Sequence, residues 1–476
     1  MASTHLTRSL GATASSSSAA YLHTSSSSRS PKQTPSKTHH FQPIPDSSFP
    51  RGYLATGLYC GVKKHKDTSA PPPNDLAVIL STTHRTSSAA CFTLNAFKAA
   101  PVVVSTEVLA KTSGRARALV VNSGCANAVT GKQGLQDAWA MAKATDALVS
   151  KHGYRTLSSP SESHTLVMST GVIGQLLPTP KILTGISNAS LSSGFEAWSA
   201  AAKAFMTTDT FPKLRARSYV DSKGKTVRIA GMDKGAGMIH PKMGPPGPPH
   251  ATLLGMIATD ASITPNSLQS ALTWAVERSF NSISVDGDMS TNDTIVCFAN
   301  GANEMEEIDQ GKDEEAYMRF RDELTSFAVD LAKLVVLDGE GATKFVTVTV
   351  EGATSYEDAH KIASTVSTSS LVKCALYGED ANWGRILCAV GYTSPLSTLI
   401  NPTEISLSFI PSDGSEPLKL LTKGEPEIVD EVRAKKILER DELEIRIELG
   451  LGNETAHYYT CDLSHEYVTI NGDYRS

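Results

Sequence analysis

The chain has 476 residues, of which 40% are hydrophobic, 6% aromatic and 20% charged, ample apolar material for at least one large core. Lysine and arginine number 44 against 49 aspartate and glutamate, a formal charge of −5, so no basic field argues for nucleic acid. No run of about 18 apolar residues reads as a membrane span, and seven scattered cysteines without a CxxC pattern argue against a disulfide framework or a cysteine zinc site.

The first 45 residues contain no acid; the first is Asp46. Over that stretch lie Arg8, Arg29, Lys32 and Lys37, and eleven of the first 30 residues are serine. With no apolar h-region, the pattern fits an organelle transit peptide, mitochondrial before plastid, rather than a secretory signal. Residues 1–45 are therefore expected to be a transit leader or, failing that, a disordered polar tail with no address, with the fold beginning near Asp46.

Downstream, strands and helices alternate. Ala118–Val121 is a buried-strand run ending at the turn signal Asn122-Ser123-Gly124. Leu135, Trp139, Ala142 and Leu148 mark a helix that Gly153 stops. Leu166-Val167-Met168 enters the glycine-bounded stretch Ser169–Gly174, and Thr226–Ala230 is another strand running into Lys234-Gly-Ala-Gly. Thr264 and Pro265 make an N-cap and N1 pair for a helix with Leu268, Leu272, Val276 and Phe280 on one face. A second amphipathic helix carries Phe320, Leu324, Phe327, Leu331 and Leu334; it exits through Asp338-Gly-Glu-Gly341 into the alternating strand Phe345–Val350. The mixture predicts an α/β or α+β fold.

Several motifs read as structure rather than chemistry. Asp286–Asp293 lacks the glycine and terminal glutamate of a calcium loop, so a polar turn is the better reading. Cys125 has no histidine tied to it by spacing and reads as a small buried residue. His240 and His250 have no i+4 partner for zinc and read as local hydrogen-bonding groups. Gly244–Pro249, GPPGPP, is a stiff surface loop. It leads to Ala251-Thr252 and an apolar strand-like run, where Thr252 by itself is only a β-branched residue opening a strand.

Taken together, these segments resemble the ornithine acetyltransferase (glutamate N-acetyltransferase) family, the bifunctional arginine-biosynthesis proteins. The motifs are Asn122–Asn127, Ser169–Gly174, Met206–Thr210, Lys234–Pro241, Ala251–Leu254, Asp286–Asp293, Asp338–Phe345, Gly378–Arg385 and Tyr467–Asn471. Each is weak alone; nine in family order, between about Gly52 and Ser476, are specific.

The resemblance implies an α/β fold with sheets sandwiched between helical layers, that of a self-cleaving N-terminal-threonine nucleophile. It implies cleavage between Ala251 and Thr252, giving an alpha chain of residues 46–251 and a beta chain of residues 252–476, assembled as a heterotetramer of two alpha and two beta chains. The freed α-amine of Thr252, ordinarily titrating at about 7.7–8.0, then serves as base for its own hydroxyl. Thr252 takes acetyl from N2-acetyl-L-ornithine and passes it to L-glutamate in a ping-pong reaction. Thr170 and Gly171 supply the oxyanion hole. Substrate contacts carry over to Thr208 (or Thr207, the register being open), Lys234, Thr252, Glu340, Asn471 and Ser476; Lys234 suits a carboxylate and Glu340 a cation. No metal, nucleotide cofactor, nucleic acid or membrane is implied. Whether acetyl-CoA is a second acetyl donor is decided by no residue.

The chain departs from the family pattern in the insertion Gly244–His250, which fungal members share, and in ending on Ser476 where threonine is common. Two rivals remain at this point: an N-terminal-nucleophile aminopeptidase or amidase, and a non-catalytic protein that retains the fold.

Overall fold

A computed structural model describes residues 34–65, 69–153, 163–221, 223–246 and 253–472. Ala251, Thr252, Ser476, His250 and the leader up to residue 33 lie outside the described residues.

Among those described, three sheets form. The first has four strands in the order Tyr53–Leu58, Leu76–Ser81, Ala118–Cys125, Thr165–Val172, the last pair parallel. The second has six, in the order Lys213–Val220, Thr226–Lys234, Leu254–Thr259, Thr294–Ala299, Ser87–Thr93, Met243–Gly244. The third, of seven strands, is built around Phe345–Ala353, Glu442–Glu448 and Glu454–Cys461.

Side-chain alternation explains the layering. Along Leu254–Thr259 and Thr294–Ala299, Met256, Ala258, Val296 and Phe298 enter one core while Ile257, Ile295 and Cys297 enter another. Successive side chains on a strand point to opposite faces, so continuous apolar runs require cover on both. Helices Pro265–Glu277 and Glu314–Leu337 cover one face. Helix Phe195–Phe205 fills the other, wedged between the six- and four-stranded sheets with Trp198 buried. Its approach is so close that a Cβ on Gly57 would sit 1.9 Å from the Ala200 carbonyl oxygen. Helices Ala100–Lys111 and Gly131–Lys151 close the far side of the four-stranded sheet. The expected α/β architecture, sheets between helical layers, is what the chain adopts. The third sheet packs its own core against helices Tyr356–Thr368, Ser370–Gly378, Trp383–Tyr392 and Glu431–Leu438.

Local expectations hold where the signal is short-range. Thr264 caps its helix, its Oγ1 accepting from the Ser267 N–H at 3.4 Å. Two expectations change. The strand from Ala118 runs on through Asn122-Ser123-Gly124 to Cys125, because parallel pairing with Thr165–Val172 continues past the turn residues and ends in a register shift at Gly124 and Cys125. The described fold also begins before Asp46. Residues 34–45 are packed onto the fold: Lys37 is buried, and Phe41 lies 6.0 Å from Phe195, ring to ring.

Candidate active site

Between the four- and six-stranded sheets, a cavity of about 240 Å³ is lined by Thr170, Gly171, Thr207, Thr208, Lys234, Glu340 and Asn471, with Val172, Ile173 and Met238 as apolar wall. That is somewhat below the usual range for drug-sized ligands, about 300–1,000 Å³, and suits a small amino-acid-sized molecule. These residues come from five separate segments.

Thr170 and Gly171 sit near the end of strand Thr165–Val172, where the pairing with Gly124 and Cys125 slips. A bulge of this kind re-aims the backbone. Gly171 has φ of +127°, and a Cβ there would stand 2.3 Å from the Gly124 carbonyl carbon, so only glycine fits. The turn is tied down by buried amides. Ser169 Oγ donates to Asn122 Oδ1 at 2.6 Å, Asn122 Nδ2 donates to the Cys125 carbonyl at 2.9 Å, and Asn292 Nδ2 donates to the carbonyls of Ala126 (2.6 Å) and Ser169 (2.7 Å).

Lys234 ends strand Thr226–Lys234 and is buried; its Nζ donates to Thr170 Oγ1 at 3.4 Å. Among the described residues it makes no ion pair. Burial pulls its ammonium below the ordinary lysine range, against the opposing pull of Asp209. Beneath it lies an ionic triad with no solvent access: Lys213 Nζ meets Asp209 Oδ1 at 2.5 Å and Asp338 Oδ2 at 2.6 Å. Burial acts against charge in Asp209 and Lys213, yet the mutual attraction wins. Asp209 is held below the usual carboxylate range by Lys213 and Lys234, and Lys213 is raised by Asp209 and Asp338. The Asp209 carboxylate also accepts from the backbone N–H groups of Thr207 (2.8 Å) and Gly235 (2.7 Å). Asp338 accepts from the N–H and hydroxyl of Thr210 at 2.9 and 2.5 Å. One buried cluster thus fastens the loops that carry Thr207, Thr208, Lys234 and Glu340.

Glu340 is buried, and its Oε2 accepts from Asn471 Nδ2 at 2.7 Å, bringing the helix His465–Gly472 onto the cavity. A Cβ on Gly237 would lie 2.2 Å from that same oxygen, so the loop passes the carboxylate with no room for a side chain. Asp286 holds this loop, accepting from the N–H groups of Met238 (2.6 Å) and Ile239 (2.9 Å). The Asp286–Asp293 segment is therefore a loop clamp, and among the described residues no group of three or more His, Cys, Asp or Glu is arranged to hold a metal. Cys125 is buried, its Sγ donating to the Gln175 carbonyl at 3.0 Å, and burial raises its thiol pKa, which does not suit a nucleophile. His240 pairs with the Tyr458 hydroxyl at 3.0 Å, a local hydrogen bond.

Leu253 and Leu254 pack into the six-stranded sheet beside Lys234. Leu253 is buried and its carbonyl accepts from the Thr294 N–H at 2.5 Å; Leu254 pairs with Lys234 on one side and Thr294 on the other.

A sequence profile of the ArgJ family matches residues 54–476. The chain belongs to the ArgJ family. Relatives named mitochondrial arginine biosynthesis bifunctional protein ArgJ include one from Postia placenta, 64% identical over 95% of this chain and 97% of its own. Another, from Laccaria bicolor, is 61% identical over 95% and 98%. An ornithine acetyltransferase from Mycobacterium tuberculosis, solved with ornithine, is 33% identical over 41% of this chain and 94% of that one, at a TM-score of 0.34. The ArgJ chain described here is accordingly an enzyme of arginine biosynthesis of the fungal mitochondrial type, in keeping with its acid-free leader.

Of the residues singled out from the sequence, Thr170, Gly171, Thr208, Lys234, Glu340 and Asn471 share one cavity, and Thr207 lines it as well. The supporting residues Asp209, Asn292, Asp286 and Asp338 lay inside the family motifs but carried no assigned task. Lys213 lay in none.

Proposed function

We propose that this ArgJ protein transfers acetyl from N2-acetyl-L-ornithine to L-glutamate through an acetyl ester on Thr252. The carrying observation is the register of Leu254 beside Lys234, in the wall of a cavity that also gathers Thr170, Gly171, Glu340 and Asn471.

The chemistry follows from the residue types. The hydroxyl of Thr252 attacks the carbonyl of Ala251, the acyl group moves from nitrogen to oxygen, and water hydrolyses the ester, leaving an alpha chain of residues up to 251 and a beta chain from 252. The freed amine takes the proton of the Thr252 hydroxyl as it attacks the acetyl amide of N2-acetyl-L-ornithine. The Thr170 hydroxyl and Gly171 N–H receive the oxyanion. Ornithine leaves, its amine protonated; the amine of L-glutamate attacks the ester and restores Thr252. Lys234, a buried cation without an ion pair among the described residues, receives a substrate carboxylate; Glu340, steadied by Asn471, receives the ornithine ammonium. Thr208 or Thr207 and Ser476 complete the contacts.

No cofactor enters this scheme, and acetyl-CoA would act only as an alternative acetyl donor. The working assembly is two alpha and two beta chains in the mitochondrial matrix. The test is Thr252→Ala: one uncut chain and no exchange of labelled acetyl between ornithine and glutamate are expected, and exchange at the unsubstituted rate would refute the reading.

A further inference from the structure

Residues 34–53 precede the stretch that the family profile matches, yet they run as a strap along the outer side of the site. Phe49 packs 5.3 Å from Trp198, and Asp46 Oδ1 accepts from the Phe195 N–H at 2.6 Å, at the start of the helix between the two sheets. Arg228 Nε donates to the Ser47 carbonyl at 2.8 Å and Arg215 Nη1 to the His40 carbonyl at 3.0 Å. His40 stacks obliquely on Phe211, 5.6 Å away, in the segment between Asp209 and Lys213. At the far end Lys37 is buried and its Nζ donates to the Gly339 carbonyl at 3.3 Å.

Gly339 lies between Asp338 of the buried triad and Glu340 of the cavity. Its carbonyl also accepts from the Ala342 N–H at 2.9 Å, so Lys37 grips the turn that aims Glu340. The strap therefore touches both loops that the triad joins, one carrying Thr207 and Thr208 and the other Glu340.

We propose that Lys37 is a positioning residue for Glu340, that the strap from Lys37 onward is part of the working enzyme, and that mitochondrial processing cuts the leader before Lys37. The proposal rests on the reading of Glu340 as the group that meets the ornithine ammonium. A buried lysine on an appended segment has a high desolvation cost unless its contact is used. Burial lowers its pKa while Asp338 and Asp462 counteract that.

The test is initial-rate kinetics with N2-acetyl-L-ornithine and L-glutamate varied separately, on Lys37→Met, Lys37→Arg and Glu340→Gln. Loss of one hydrogen bond predicts a KM for N2-acetyl-L-ornithine raised about fivefold in Lys37→Met, with the KM for L-glutamate not raised. Lys37→Arg, which keeps a donor, stays within about twofold of the unsubstituted enzyme. Unchanged kinetics in Lys37→Met, a failure of Lys37→Arg to preserve the ornithine KM, or an equal rise in both KM values overturns the proposal. If Glu340→Gln leaves the ornithine KM unchanged, the parent reading of Glu340 falls instead. Independently, N-terminal sequencing of the protein from mitochondria should find a chain that includes Lys37; one that begins beyond it overturns the proposal.

Discussion

The side-chain amide of Asn292 donates to the carbonyl of Ser169 at 2.7 Å, joining positions 123 residues apart. The same nitrogen donates to Ala126, so one buried amide pins the strand end that presents Thr170 and Gly171. Asn292→Ala leaves two buried carbonyls short of a donor, at about 1–3 kcal/mol each. A lowered melting temperature together with a fall in kcat is expected, read by thermal denaturation and acetyl-exchange rate.

Gly171→Ala tests the backbone itself. The added Cβ meets the Gly124 carbonyl carbon at 2.3 Å, and φ of +127° is strained for any side chain. Backbone strain of about 1–3 kcal/mol, with the clash added, displaces the oxyanion donor. Removing one such donor costs about 10²–10³ in kcat, and a fall of that size is expected with the KM for N2-acetyl-L-ornithine little changed.

The triad separates stability from charge. Lys213→Met leaves Asp209 and Asp338 buried without their cation, and breaking a buried pair costs about 3–5 kcal/mol. Replacing all three as Asp209→Asn, Lys213→Met and Asp338→Asn removes the uncompensated charges and should recover part of the lost melting temperature. Differential scanning calorimetry of the single and triple variants gives the comparison.

His240 makes stability pH-dependent. Burial, with help from Lys242 and His360, pushes its pKa down to about 4. The folded state refuses a proton that the unfolded chain binds near its ordinary pKa of about 6.5, so stability is full above that value and is lost as pH falls toward 4. The slope from this group approaches about 1.4 kcal/mol per pH unit. His240→Gln should flatten the fall in melting temperature between those limits.

Short-range signals were legible in the sequence: the Thr264 cap, the apolar strand-like run after Thr252, and the helix carrying Phe320 to Leu334. The shared cavity was approached through family motifs, since nothing local tells that Glu340 and Asn471 touch. What stayed hidden depends on long-range pairing. Lys213 reaches Asp338 across 125 residues and belongs to no motif. Lys37 and Phe41 lie in a polar, acid-free stretch that reads as leader, and only their partners Gly339 and Phe195 show that the fold has already begun. The strand end at Gly124 reads as a turn because pairing with Thr165–Val172 is invisible from one strand alone.

The acetyl ester on Thr252 is tested most directly by intact-mass spectrometry of the purified protein after incubation with N2-acetyl-L-ornithine and no glutamate. The account predicts two chains divided before Thr252, the downstream chain heavier by one acetyl group that glutamate then removes. A single undivided chain that still exchanges acetyl, or an acetyl group borne by any other residue, would contradict it.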